Sequence, residues 1–150
     1  MALICDTSGV FALYDFDYAH HRAVVEVVQS ESGSLLLPVI LLAEIDYLLH
    51  QRLGLDAAFE FIEAVELGQF TLVPLTGSDI TRCRELVSQY RDLEIGLADA
   101  SVAAAAERLN VPRLLSLDHR HFRAMTPRNF NYFVMLPSDV TPRGVYQSRS

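Results

Sequence analysis

The chain has 150 residues, of which 51% are hydrophobic and 21% charged, and its formal net charge is −7. This composition is typical of one compact globular domain and excludes a disordered chain. No apolar run approaches the roughly 20 residues of a membrane span, and no signal peptide is visible, so we expect a cytoplasmic protein with no membrane partner.

The cysteine and arginine content limits the kinds of site that we expect in this chain. Cys5 and Cys83 have no Cys or His partner at a metal-like spacing, which predicts two buried apolar groups and neither a disulfide nor a zinc site. All 12 basic residues are arginine, and five of them lie between residues 108 and 128. The net negative charge argues against a nucleic-acid partner, but an arginine cluster can hold phosphates through paired hydrogen bonds. For any single arginine, a solvated surface position is the simpler explanation.

Strands and helices alternate along the chain. Short apolar runs predict strands at residues 2–5, 35–37, 70–73, 113–117 and 130–135. Apolar residues at helical spacing predict helices at residues 17–30, 38–53, 56–67, 76–90 and 98–109, and Asp6 begins another. This order predicts a parallel sheet of four to five strands that is covered by helices on both faces. We place the domain at residues 1–136 and predict an extended or disordered tail at residues 137–150, which are rich in Pro, Gly, Ser and Thr.

Four acidic residues follow or interrupt apolar runs, where an unpaired carboxylate is costly to bury. They are Asp6, Glu44, Asp99 and Asp118. Asp6 and Asp118 each end a predicted strand, so they can face each other across the carboxyl edge of the sheet. Glu44 shares a helix face with Leu41 and Leu48, which predicts that it points toward the core. Asp99 lies in the first turn of a helix, on an inward face.

Three of these acids, taken alone, also have a purely structural explanation. Asp6 and Asp99 are also compatible with helix caps, and Asp118 with a turn. Glu44 has no such explanation, whereas Asp46 lies on another side of the same helix and is expected to face solvent or a supporting partner. Four clustered carboxylates would raise one another's pKa or recruit a cation, and their oxygens suit Mg²⁺ or Mn²⁺. This predicts a metal-dependent phosphodiesterase, in which hydroxyl groups bind phosphate oxygens or metal waters. The candidate hydroxyls are those of Thr7, Ser8 and Ser116.

Four short motifs together resemble the PIN-domain family, and more narrowly the VapC-type toxins of bacterial toxin–antitoxin pairs. They are Asp6-Thr7-Ser8, Leu42-Ala43-Glu44-Ile45, Leu97-Ala98-Asp99-Ala100-Ser101, and Leu115-Ser116-Leu117-Asp118 followed by Phe122. The resemblance extends over about residues 3–136. It implies a three-layer α/β/α sandwich with a central parallel sheet, in which Asp6, Glu44, Asp99 and Asp118 coordinate Mg²⁺ or Mn²⁺.

The resemblance also implies an activity and partners. It implies an endoribonuclease that cuts structured RNA such as tRNA or rRNA, forms a homodimer and is inhibited by a cognate VapB-like antitoxin. The apolar helices between residues 38 and 67 are consistent with an antitoxin groove, and we predict that Arg120 and Arg123 contact RNA phosphates. Two alternatives remain: a non-catalytic PIN-like module that binds nucleic acid or protein, and a phosphohydrolase with Asp6 as phosphate acceptor. The second generally needs a lysine or a second early aspartate, which this chain lacks.

Overall fold

Five short strands form one parallel sheet in residues 2–139, the part of the chain that the computed structural model describes. They are β1 (Leu3–Cys5), β2 (Leu35–Pro38), β3 (Thr71–Val73), β4 (Arg113–Leu115) and β5 (Val134–Leu136). Their order in the sheet is β3-β2-β1-β4-β5, and all four pairings are parallel. The central strand β1 is fully buried, as expected for a strand covered on both faces.

Seven α-helices connect these strands within the described residues. They are α1 (Thr7–Tyr14), α2 (His21–Ser30), α3 (Leu42–Leu53), α4 (Leu55–Glu66), α5 (Gly77–Gln89), α6 (Leu97–Leu109) and α7 (His119–Ala124). Crossovers between parallel strands are right-handed, so the strand order places α1 to α4 on one face of the sheet and α5 to α7 on the other. The predicted three-layer α/β/α sandwich is confirmed.

A glycine sets how closely α1 approaches the sheet. Gly9 lies in the first turn of α1, and a Cβ atom at this position would overlap the backbone carbonyl of Leu115 in β4. The adjacent Asp6 amide donates a hydrogen bond of 3.0 Å to the same carbonyl oxygen. Gly9 therefore allows the start of α1 to lie directly against the end of β4.

The predicted orientation of Glu44 is wrong. The chain from 38 to 53 is not one helix: Pro38 ends β2, a single 3₁₀ turn covers Val39–Leu41, and α3 begins at Leu42. Because of this start, Ile45 and Leu49 form the buried stripe of α3, and Glu44 lies in the exposed first turn. Of the apolar residues near Glu44 in the sequence, Leu41, Ile45 and Leu49 are buried, whereas Leu48 lies on the same side of α3 as Glu44.

Several boundaries also differ from the sequence prediction. The second helix begins at His21 and not at residue 17, the last strand covers only Val134–Leu136, and α7 was not predicted. Pro137–Asp139 forms a turn, and the rest of the predicted tail, residues 140–150, lies outside the described residues. Both cysteines are buried, as predicted. None of the helices described in residues 2–139 has the length and hydrophobicity that a bilayer span requires.

Candidate metal and catalytic site

All four predicted acids line a single cleft of about 420 Å³. Asp6 directly follows β1 and Asp118 lies three residues after β4, and these two strands are neighbours in the sheet. From β1 the chain moves toward one edge of the sheet, and from β4 toward the other. The cleft therefore lies at the topological switch point, where the loops diverge and α/β folds bind ligands.

Asp6 is the most buried of the four acids, with 3% of its surface exposed. It occupies the N-cap position of α1, but its side chain makes no capping hydrogen bond. Instead, Oδ2 accepts hydrogen bonds from the hydroxyls of Ser8 (3.0 Å) and Ser116 (2.8 Å). These hydroxyls also accept the amides of Leu117 and Asp118, respectively. Ser8 and Ser116 thus connect Asp6 to the loop that carries Asp118.

His121 lies between two of the predicted acids. Its Nδ1 is 2.5 Å from Oδ2 of Asp99 and 2.9 Å from Oδ2 of Asp118. Asp118 also caps α7 by accepting the backbone amide of His121. One oxygen from each carboxylate and one ring nitrogen lie within 4.8 Å of one another, which is a set of donor atoms able to hold a metal ion.

The electrostatics of the cleft oppose ionisation of its acids. Burial, and further the charge of Asp118, raise the pKa of Asp6 against the lowering effect of its serine hydrogen bonds. Burial and the charge of Asp6 raise the pKa of Asp99 to about 6, although the hydrogen bond from His121 opposes this. Burial acts to lower the pKa of His121, but the two carboxylates outweigh it and the net shift is upward. A cation bound in the cleft would offset the repulsion between these carboxylates and favour their ionised forms.

Glu44 and Thr7 also line the cleft, on helices α3 and α1. Glu44 is exposed, so its carboxylate can turn toward a ligand at little desolvation cost. Thr7 is buried, and its hydroxyl has no hydrogen-bond partner among the described residues. A buried polar atom without a partner is costly, which makes this hydroxyl an exception among the buried polar groups of the described residues.

The predicted phosphate-binding arginines lie outside the cleft. Arg123 makes two hydrogen bonds, of 2.9 and 2.6 Å, to the carboxylate of Asp139. Arg120 is exposed and makes no ion pair with any described residue. Neither residue lines the cavity that contains the four acids.

Sequence reasoning missed His121. Its spacing of three residues from Asp118 was visible, because both fall in the run Asp118-His119-Arg120-His121. Its contact with Asp99, 22 residues earlier in the chain, depends on how α6 packs against α7. The sequence did show an acid and a histidine, Asp118 and His121, at helical spacing after a strand. It did not show that Asp99, on α6, contacts the same histidine.

The donor set fits a divalent cation. Carboxylate oxygens are hard ligands that Mg²⁺ and Mn²⁺ prefer, and an imidazole nitrogen is acceptable to Mn²⁺. Asp99 and Asp118 offer oxygens at ligand-compatible separation, and Asp6 carries a raised pKa that a nearby cation would reverse. The donor atoms close enough to share one ion thus come from α6 and the start of α7, and Asp6 and Glu44 line the same cleft.

Comparison with known proteins identifies the family. A family profile described as PIN domain matches residues 3–126. The chain belongs to the PIN-domain family. This PIN domain is 33% identical to Ribonuclease VapC26 of Mycobacterium tuberculosis over 135 residues, which cover 90% of this chain and all of that protein. The resemblance to VapC-type members is therefore confirmed.

A solved structure supports the same fold for this PIN domain. It is the crystal structure of Mycobacterium tuberculosis VapC20, described as a sarcin-ricin loop cleaving toxin. The two structures have a TM-score of 0.70 at 21% sequence identity, and the match covers 77% of this chain and 89% of VapC20. At this identity the match establishes the common fold.

Proposed function

We propose that this chain is a metal-dependent endoribonuclease and the toxin of a VapBC-type toxin–antitoxin pair, which hydrolyses phosphodiester bonds in structured RNA such as tRNA or rRNA. The observation that carries the proposal is the convergence of four carboxylates, from four separate segments of the chain, on one cleft. The similarity to Ribonuclease VapC26 supports RNA as the substrate.

In this proposal Asp6, Asp99, Asp118 and Glu44 hold one or more Mg²⁺ or Mn²⁺ ions. A divalent ion bound there supplies a Lewis acid that activates water and neutralises charge on the phosphate. Ser8 and Ser116 fix the Asp6 carboxylate through their hydrogen bonds. The free hydroxyl of Thr7 offers a hydrogen bond to a phosphate oxygen. His121 holds Asp99 and Asp118 at a fixed separation.

The non-catalytic alternative is less consistent with this site. A binding module has no need for buried like charges, which cost stability wherever they remain ionised. All four acids are present and line the cleft, and Asp6 and Asp99 have raised pKa values. Such an arrangement is typical of a site that performs chemistry.

Replacement of Asp6 or Asp99 by asparagine tests the activity. We expect either variant to lower RNA cleavage by at least about 100-fold, since even residues that only support a metal ligand cost about 10–100-fold. The measurement is sequencing of RNA 5′ ends after induced expression, which also identifies the substrate, followed by cleavage of that RNA by purified protein with Mg²⁺, Mn²⁺ or EDTA.

Asp92→Asn is the matched control, because Asp92 is an exposed aspartate that does not line the cleft. Asp92→Asn should cleave like the unmodified chain, and EDTA should abolish cleavage. New RNA ends of equal abundance with the Asp99→Asn and Asp92→Asn proteins would refute the catalytic assignment.

We further propose a cytoplasmic homodimer that binds a VapB-like antitoxin. Support comes from α4, where Leu55, Phe59 and Ile62 recur at helical spacing and are each more than half exposed. Large exposed apolar stripes of this kind mark protein–protein surfaces. Co-expression with the antitoxin should suppress RNA cleavage, and light scattering of the purified toxin gives its oligomeric state.

A further inference from the structure

The acid cleft must accept a polyanion, yet its lining is strongly negative. Five carboxylates line it: Asp6, Asp15, Glu44, Asp99 and Asp118. Among residues 2–139, Arg52 is the single Lys or Arg side chain that lines the cleft. An RNA phosphate next to the scissile one would therefore meet repulsion everywhere except at this residue.

Five of the other described arginines are occupied by structural ion pairs, and the remaining four do not line the cleft. Arg82, Arg108, Arg113, Arg123 and Arg128 each contact at least one carboxylate. Arg52 makes no ion pair or hydrogen bond with the described residues, and its guanidinium lies 5.5 Å from the ring centre of Phe11. Stacking on an aromatic ring restrains a guanidinium while its N–H donors remain available in the plane of the group.

The repeat of the α3 helix explains why Arg52 and Glu44 lie on the same wall of the cleft. Glu44, Leu48 and Arg52 recur every four residues along α3 and all line the cleft. Thr7 and Phe11 on α1, with Asp15 directly after its end, form the matching stripe. Eight helical residues separate Glu44 from Arg52, which corresponds to about 12 Å along the α3 axis. Arg52 thus lies in the same cleft as Glu44 but about two helical turns further along α3.

We propose that Arg52, held over Phe11, is a phosphate-binding subsite for the RNA backbone, which binds a phosphate other than the one that is cleaved. This inference rests on the proposed nuclease function and adds a positioning contact to it. The planar guanidinium donates two parallel hydrogen bonds to the phosphate. The subsite orients the strand along the α1–α3 wall and places the scissile phosphate at the acids.

The test is RNA binding by Arg52→Gln and Arg52→Lys in an Asp99→Asn background, where we expect cleavage to be at least about 100-fold slower. The probe is a fluorescein-labelled, mixed-sequence single-stranded RNA of 12 nucleotides, titrated at several NaCl concentrations and constant Mg²⁺. We expect Arg52→Gln to weaken binding about tenfold, as for one charge-assisted hydrogen-bonded contact. The slope of log K against log[NaCl] should fall by about 0.7, the value for one phosphate on a single strand.

Arg84→Gln is the matched control, because Arg84 is exposed, makes no ion pair with the described residues and lines a different surface groove. Arg84→Gln should leave affinity and slope unchanged, and Arg52→Lys should keep the slope but lose part of the affinity. In the cleaving enzyme, Arg52→Gln should raise KM and leave kcat nearly unchanged.

Equal affinity and equal salt slope for Arg52→Gln and Arg84→Gln would overturn the subsite. That result leaves the nuclease proposal intact as long as the unmodified protein cleaves RNA and Asp99→Asn does not. Conversely, absence of cleavage by the unmodified protein overturns the nuclease proposal, whereas weaker RNA binding by Arg52→Gln still supports the phosphate contact.

Discussion

Burial and like charge act on Asp99 in the same direction, and His121 acts against both. The pKa of Asp99 is raised to about 6, so the folded protein holds a proton there more tightly than the unfolded chain, whose aspartates have a pKa near 3.9. The unfolded state binds fewer protons between these values, so stability falls as pH rises through this range. The raised pKa of His121 adds a contribution of the same sign, present at low pH and lost above about 6.5.

We therefore expect the unfolding temperature in EDTA to fall as pH rises from 5 to 8. Asp99→Asn should flatten this dependence and raise the unfolding temperature at pH 8, because it removes a costly buried charge. A gain of about 1 kcal/mol corresponds to about 2–4 °C for a chain of this size. Circular dichroism melts over the pH series measure both effects.

Asp92→Asn again serves as the control and should follow the unmodified chain. The carboxylates with lowered pKa values, Asp79 and Asp139, act in the opposite direction but only near pH 4 and below, outside this range. A pH dependence in Asp99→Asn as steep as in Asp92→Asn would contradict the assignment of the effect to Asp99.

The positions of some site residues could be predicted from the sequence, and those of others could not. Asp6 and Asp118 follow apolar strands, so their place at the sheet edge was predictable. Glu44 lines the cleft, but the prediction that it points toward the core was wrong, because Ile45 and Leu49 form the buried side of α3. His121 was missed because its contact with Asp99 is tertiary.

The junction between α1 and β4 governs the position of Asp6 at the scale of elements. Gly9 permits this contact, and both the Asp6 amide and the Ser8 hydroxyl bond to the chain between Leu115 and Leu117. A side chain at position 9 would push the start of α1 away from the sheet. The carboxylate of Asp6 would move with it.

We expect Gly9→Ala to destabilise the fold by at least about 1–3 kcal/mol, the usual cost of overpacking, and to lower RNA cleavage in the fraction that remains folded. Gly77→Ala is the matched control, because it also lies in the first turn of a helix but its added Cβ meets no atom within 4 Å. Urea denaturation of both variants provides the comparison. Equal stability of the two would show that α1 can move without loss.

Long helices were easier to predict than the short elements around the site. α5 and α6 have 13 residues each with regular apolar spacing, and their predicted boundaries differ from the structure by only one residue at either end. α7 has six residues and a largely polar sequence, so no periodic pattern marked it. Yet α7 carries the histidine that joins two acids.

At the scale of the whole molecule, the order of the strands brings the acids of the cleft together. The sequence predicted parallel strands and helices on both faces, but not that β1 and β4 are neighbours, because their pairing joins residues about 110 positions apart. That pairing creates the switch point and brings Asp6 next to Asp118. The site therefore depends on the order of the strands in the sheet as well as on the residues that line it.

Binding of a divalent ion at this site should stabilise the entire domain. We expect Mn²⁺ to raise the unfolding temperature at pH 8, by an amount that corresponds to about 2.7 kcal/mol at 100 times its dissociation constant. Asp99→Asn and Asp118→Asn should lose most of this increase, while Asp92→Asn should retain it. An equal increase in all variants would place the ion elsewhere.

The turn after β5 has a practical consequence for protein production. Asp139 is anchored to Arg123 and accepts the amide of Met135, and the neighbouring Ser138 bonds to His119, the residue after Asp118. This turn follows the carboxyl end of β5, and the cleft lies at the carboxyl ends of β1 and β4. Ala2 precedes β1 at the opposite end of the strands. An affinity tag joined at the amino terminus therefore starts at the end of the sheet away from the cleft, and we expect it to leave RNA cleavage unchanged.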